Sequence, residues 1–143
     1  MSAKISSIKT AMTPFPYTID AFAELQEAVA MMTEHKIRHL PVAREGKLIG
    51  VISDRDLKWA RNLTDELGNL KVGELVRENL YAVDLNERLD KVLLAMAEKQ
   101  IGSALVVKGE KLAGIFTTTD ACRQFAEYLQ RDFPDPDADP ALA

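Results

Sequence analysis

Gly50-Val51-Ile52-Ser53-Asp54-Arg55-Asp56 decides how this chain is read, because it returns as Gly114-Ile115-Phe116-Thr117-Thr118-Thr119-Asp120. Each copy is a glycine, two apolar residues, a hydroxyl residue and, three positions after the hydroxyl, an aspartate. The offset is 64 residues, and it holds without a gap from Ile8/Val72 to Leu57/Ala121. Those 50 pairs contain 11 identities, among them Asp20/Asp84, Leu25/Leu89, Ile37/Ile101 and Lys47/Lys111. Unrelated stretches would share about three at ordinary residue frequencies. The chain is a tandem duplication.

Outward from that stretch, each copy has the same predicted layout. Tyr17-Thr18-Ile19 reads as a short strand after the extended Thr13-Pro14-Phe15-Pro16. Asp20 is placed to cap a helix whose apolar face is Phe22, Leu25, Ala28, Val29 and Met32, ending near Lys36. Leu40-Pro41-Val42 is a buried strand whose proline suggests a sheet edge or a strand start. Arg44 to Lys47 is a turn, Leu48 to Ile52 the returning strand, and Asp54 is placed to cap a helix through Leu57, Trp59 and Ala60 to about Leu63. In the second copy Tyr81-Ala82-Val83 is the strand, and Asp84-Leu85-Asn86-Glu87 has capping-box spacing. Ala104 to Val107 and Leu112 to Phe116 form the second hairpin, and the last helix carries Ala121, Cys122, Phe125, Tyr128 and Leu129.

Each unit is thus strand, helix, strand, strand, helix, over residues 8–63 and 72–130, with 64–70 as a linker. A unit of about 60 residues buries little apolar surface alone. Two units packed sheet to sheet about a pseudo-twofold axis remove that weakness, so the expected class is α/β in the α+β sense. The Pro-Asp-Pro-Asp-Ala-Asp-Pro segment within 131–143 reads as a disordered tail.

Composition narrows the function. At 143 residues, 47% hydrophobic and 28% charged, the chain suits one compact globular domain of two halves. A net charge of −4 argues against nucleic acid, whose binding is driven by Lys and Arg. The longest apolar runs are about five residues, far short of the ~20 that span a bilayer, so no membrane is expected. Met-Ser-Ala-Lys opens no signal peptide, and the single Cys122 excludes an internal disulfide, so a cytoplasmic protein is expected.

At the strand-to-helix junctions, the Ser53 or Thr117 hydroxyl and free backbone N–H groups make a polar rim suited to anions. Asp56 or Asp120, one turn on, can accept two hydrogen bonds from the vicinal hydroxyls of a ribose. Val51, Ile52, Ile115 and Phe116 would line a slot for a flat ring. The alternative is that these aspartates serve only as first-turn helix residues, favoured by the dipole. Other signals point to no chemistry. His35 and His39 lie across a predicted helix end, so no metal is expected, and Cys122 reads as buried filler. Ser53, His39 and Asp56 lack the glycine pattern and oxyanion donors of a hydrolase, so no catalytic constellation is expected.

The duplicated pattern resembles a tandem pair of CBS domains, the Bateman module. Met12-Thr13-Pro14, Ile37-Arg38-His39-Leu40-Pro41-Val42, Gly50 to Asp56 and Gly114 to Asp120 carry the resemblance, over roughly residues 8–130. It implies a regulatory module that binds an adenine nucleotide or S-adenosyl compound between the repeats, requires no cofactor, and forms a disc-like homodimer. It further implies one cleft of Val51, Ser53, Asp56 and neighbouring Arg55 with Ile101, Gly102 and Ser103. A second would unite Ile115, Thr117 and Asp120 with Ile37, Arg38 and His39, where Arg38 can meet phosphate. Repeat 2 departs from the pattern with Leu105 at the position of Pro41 and Glu78 at that of Pro14. The output would pass to a separate, unidentified effector protein. The rival readings are a ligand-free scaffold acting through its dimer surface and, third, a nucleotide-processing enzyme.

Overall fold

Local signals place the elements. The computed structural model describes residues 5–63, 70–76 and 80–137. Repeat 1 holds β1 (Thr13–Pro14), β2 (Ile19–Asp20), α1 (Leu25–His35), β3 (His39–Arg44), β4 (Lys47–Ser53) and α2 (Asp54–Leu63). Repeat 2 holds α3 (Val72–Leu75), β5 (Ala82–Asp84), α4 (Leu89–Lys99), β6 (Ser103–Lys108), β7 (Lys111–Thr117) and α5 (Thr118–Asp132). The strands form two sheets, β2-β3-β4 and β1-β7-β6-β5. The molecule is two βαββα repeats packed sheet to sheet about a pseudo-twofold axis.

Both hairpins close on two residues, and the glycines take the left-handed φ that such turns need. Glu45 and Gly46 both have positive φ (51° and 79°), as in a type I′ turn. In repeat 2 the order is reversed, and Gly109 at φ 64° comes first. Helices α1 and α4 each end on a left-handed non-glycine residue, Lys36 and Gln100. The following amides, of Ile37 and Ile101, reach back to the carbonyls of Met32 and Met96. These Schellman-type ends aim Arg38 and His39, and Ile101 to Ser103, at the space between the repeats.

The predicted caps at Asp20 and Asp84 are corrected by the structure. Each carboxylate accepts the amide two residues on, Phe22 or Asn86, at 2.8 Å, in an Asx turn. Their helices start five residues later, at Leu25 and Leu89. The intervening carbonyls are taken by the other repeat's lead-in segment. Val72 N–H donates to Ala23 O (2.8 Å) and Gly73 N–H to Ala21 O (2.9 Å). Reciprocally, Ile8 N–H donates to Glu87 O (2.8 Å) and Lys9 N–H to Leu85 O (3.2 Å).

The cores follow the same exchange. Val72 is buried with Leu25, Ala28, Leu40, Val42 and Ile52, all of repeat 1. Ile8 is buried with Val92, Met96, Ala104, Val106 and Phe116, all of repeat 2. Strand β1 continues this crossing by pairing with β7, Thr13 opposite Ile115 and Pro14 opposite Gly114. A Cβ on Gly114 would strike Met12 Sδ and come within 2.8 Å of Thr13 O, so only glycine admits that strand.

Pro41 lies in the central strand of its sheet, not at an edge or a strand start as predicted. The sheet tolerates it because of where its missing donor would point. The equivalent Leu105 N–H donates to Tyr81 O at 3.0 Å, and β5 pairs from Ala82 onward. Opposite Pro41 that bond has no donor, and β2 starts pairing one residue later, at Ile19.

Helix α5 contributes no buried residue, so Phe125, Tyr128 and Leu129 stand exposed, and Cys122 is exposed rather than filling the core. The helix runs on to Asp132, past the expected start of the tail at residue 131. Residues 138–143 of that tail, Glu78, and residues 64–69 of the linker lie outside the described residues. No helix among the described residues is long and apolar enough to cross a membrane.

Candidate functional site

The two hydroxyl-to-aspartate stretches adopt one geometry. Ser53 N–H and Oγ–H both donate to Asp56 Oδ2 (2.9 and 2.8 Å), and Asp56 N–H donates back to Ser53 Oγ at 3.1 Å. Thr117 N–H and Oγ1–H donate to Asp120 Oδ2 (2.9 and 3.0 Å), with Asp120 N–H returning at 3.3 Å. Both are capping boxes, with Ser53 and not the predicted Asp54 as the cap of α2, so the capping role and a ligand role share the same carboxylates. The helices' first donors are satisfied from the preceding loops, with Asp54 N–H on Arg38 O and Thr118 N–H on Gly102 O.

A cavity of about 510 Å³ opens beside the first of these boxes. Val51, Ser53, Arg55 and Asp56 form one wall, and Ile101, Gly102 and Ser103 of the other repeat face them. Arg38 and His39, assigned by the resemblance to the Asp120 cleft, also line this cavity. Ile37 lies outside it, in a groove between α1 and α2. Ile115 is buried within β7, and Thr117 and Asp120 are half-buried in their cap, with Arg123 Nη1 3.4 Å from Asp120 Oδ1.

Further liners escaped the sequence reading: Asp54, Lys58, Leu80, Tyr81, Gln100 and the Thr118-Thr119 pair. Two had a usable signal. Tyr81 is identical to Tyr17 across the 64-residue offset, and Lys58 sits one turn after Asp54. Lys58 Nζ is 3.1 Å from Asp54 Oδ2, which holds the ammonium at the cavity wall. The Tyr81 ring is steadied by Lys99 Nζ, 5.5 Å from its centroid. Tyr17 is stacked instead on His35, with centroids 3.7 Å apart. That contact takes His35 away from His39, and among the described residues no three His, Cys, Asp or Glu side chains cluster as metal ligands.

His39 is the electrostatic centre. Its Nε2 would lie 3.2 Å from a Cβ on Gly102, so the glycine makes room for the ring. Burial pushes its pKa below the ordinary value, opposed by Asp56 and assisted by Arg38, with weaker opposition from Asp120 and Asp54. The imidazole is therefore neutral at pH 7 and can both donate and accept.

Two interlocked repeats with inter-repeat junctions of this kind define a known family. The family model of the CBS domain matches residues 5–62 and again residues 72–127. The chain belongs to the CBS-domain family. Among relatives of this CBS pair, the CBS domain-containing protein YhcV of Bacillus subtilis is 29% identical over 116 residues, 81% of this chain and 83% of that one. Hypoxic response protein 1 of Mycobacterium tuberculosis is 33% identical over 107 residues, 73% of this chain and 74% of its own. Among solved structures, the CBS domain pair of protein MJ0100, in complex with 5′-methylthioadenosine and S-adenosyl-L-methionine, superposes with a TM-score of 0.79. It is 27% identical and covers 87% of this CBS pair and 99% of that chain.

Proposed function

We propose that this CBS pair is a regulatory module that binds an adenosine-containing ligand in the Asp56 cavity. The observation that carries the reading is the cavity itself, where a ribose-type acceptor, three cations and a neutral imidazole converge between the repeats. The Asp56 carboxylate keeps Ser53 on Oδ2 and, as a carboxylate with about four acceptor sites, can also take ribose hydroxyls. Val51, Ile101, Leu80 and Tyr81 offer apolar walls to the adenine. Arg38, Arg55 and Lys58 are the phosphate or carboxylate partners. The adenosine-type ligands of the MJ0100 pair support the ligand class. We read the module as non-catalytic and cytoplasmic, dimerising through the apolar helix residues Leu94, Phe125 and Tyr128, and passing its signal to a separate protein.

The test is a melt with AMP, ADP, ATP, S-adenosylmethionine and NAD, repeated in Asp56→Ala and Asp120→Ala. A ligand at 100 times its Kd adds about 2.7 kcal/mol, a rise of several degrees at this size. Asp56→Ala removes that rise, and Asp120→Ala keeps it, while each loses about 1 kcal/mol of capping in the absence of ligand. If no adenosine compound moves the melting point, the reading falls. If only Asp120→Ala abolishes the shift, the ligand belongs in the other junction.

A further inference from the structure

A second concavity of about 340 Å³ lies between α1 and α2 of repeat 1. Val29, Met32, Ile37 and Leu57 give it an apolar base. Four cations line it, Lys36, Arg38, Lys58 and Arg61, against one acid, Asp54. Lys58 is ion-paired with that acid, and Lys36, Arg38 and Arg61 hold no ion pair among the described residues. In a chain with 22 acidic and 18 basic residues, three unpaired cations around one hollow stand out. Their mutual repulsion is relieved by an anion.

The duplication supplies an internal control. The positions equivalent to the four cations, 64 residues on, are Gln100, Gly102, Cys122 and Phe125, none of them charged. The corresponding helices of repeat 2, α4 and α5, carry no such charges at those positions, so the βαββα plan itself does not demand cations there. The charge is a property of repeat 1 alone.

We propose that the α1–α2 groove is a second anion site, for a small organic phosphate with an apolar body. Lys36 at the C-cap of α1 and Arg61 on α2, which line the groove and not the cavity, take its phosphate from opposite sides. The apolar base holds the carbon body. Arg38 and Lys58 line both the groove and the Asp56 cavity. An anion in one therefore draws on cations that the other uses, and the two occupancies oppose each other. This site does not depend on what the cavity binds.

The experiment titrates the whole chain with phenyl phosphate and with inorganic phosphate at constant ionic strength, followed by amide NMR and calorimetry. Phenyl phosphate is expected to bind more tightly than inorganic phosphate and to shift the amides of Thr33, Ile37 and Leu57. Arg61→Ala should weaken it about tenfold, the loss of one charge-assisted hydrogen bond. Lys36→Ala should act in the same direction. Saturating phenyl phosphate should weaken ATP binding and spare adenosine. No binding, no response to Arg61→Ala and Lys36→Ala, or shifts confined to Tyr81, Ile101 and Ser103 would each overturn the site. So would a loss of ATP affinity in Arg61→Ala with phenyl phosphate binding intact, since the groove would then only extend the cavity.

Discussion

The two repeats share a backbone plan and differ in what they place on it. At one strand position repeat 2 has Leu105, whose N–H reaches Tyr81 O, and repeat 1 has Pro41, which offers no donor. At the helix pair, repeat 1 has four cations where repeat 2 has Gln100, Gly102, Cys122 and Phe125. At the inter-repeat face, repeat 1 contributes Arg38 and His39, and repeat 2 contributes Gly102 and Ser103 at the same positions. A large ring on one side and a glycine on the other fit together, whereas two imidazoles or two glycines would not. Duplication produced two equivalent junctions, and divergence set Arg38 and His39 across from Gly102 and Ser103 at the cavity beside Asp56.

The largest expected effect tests whether the repeats are separate units. Ile8→Ala should cost about 3 kcal/mol, lowering Tm by roughly 10 °C. Hydrogen exchange should show the loss in α4 and β6 of repeat 2, although Ile8 opens repeat 1 in sequence. A loss confined to α1 and β3 would break the exchanged-core description. Next, Leu105→Pro should make repeat 2 imitate repeat 1. It strips the donor from Tyr81 O at a cost of about 1–3 kcal/mol, with faster exchange at Ala82 and Val83. The smallest effect concerns protons. His39 is held below its ordinary pKa of 6.5, so the unfolded chain binds a proton more readily as pH falls. Stability from this group is present above pH 6.5 and is lost as the pH drops below it. Melts from pH 8 to 5 should show that loss, and His39→Gln should flatten it. A phosphorylated ligand, favouring the charged ring, should bind more tightly as pH falls over the same range.

Much of this was legible in the sequence, because a duplication prints its own structural alignment. The 64-residue offset located both hydroxyl-to-aspartate stretches and both hairpins, and the resemblance set Ser53 and Asp56 opposite Ile101 to Ser103. The readings that missed did so for local reasons. Asp20 and Asp84 have the chemistry of helix caps, and only the carbonyl partners supplied by Val72 and Ile8 explain why an Asx turn comes first. Pro41 carries the mark of an edge strand, and the exemption comes from where its missing N–H points, which is a matter of register. Phe125, Tyr128 and Cys122 follow a helical apolar period that does not say whether the surface it meets lies inside the same molecule.

The exchange of lead-in segments also governs how the chain can be assembled in time. Thr13 and Ile115 must meet across about a hundred residues of intervening chain, a costly closure and a source of high contact order. During synthesis Ile8 is made about a hundred residues before Val106 and Phe116, with which its core is completed. It must wait for them to find its place.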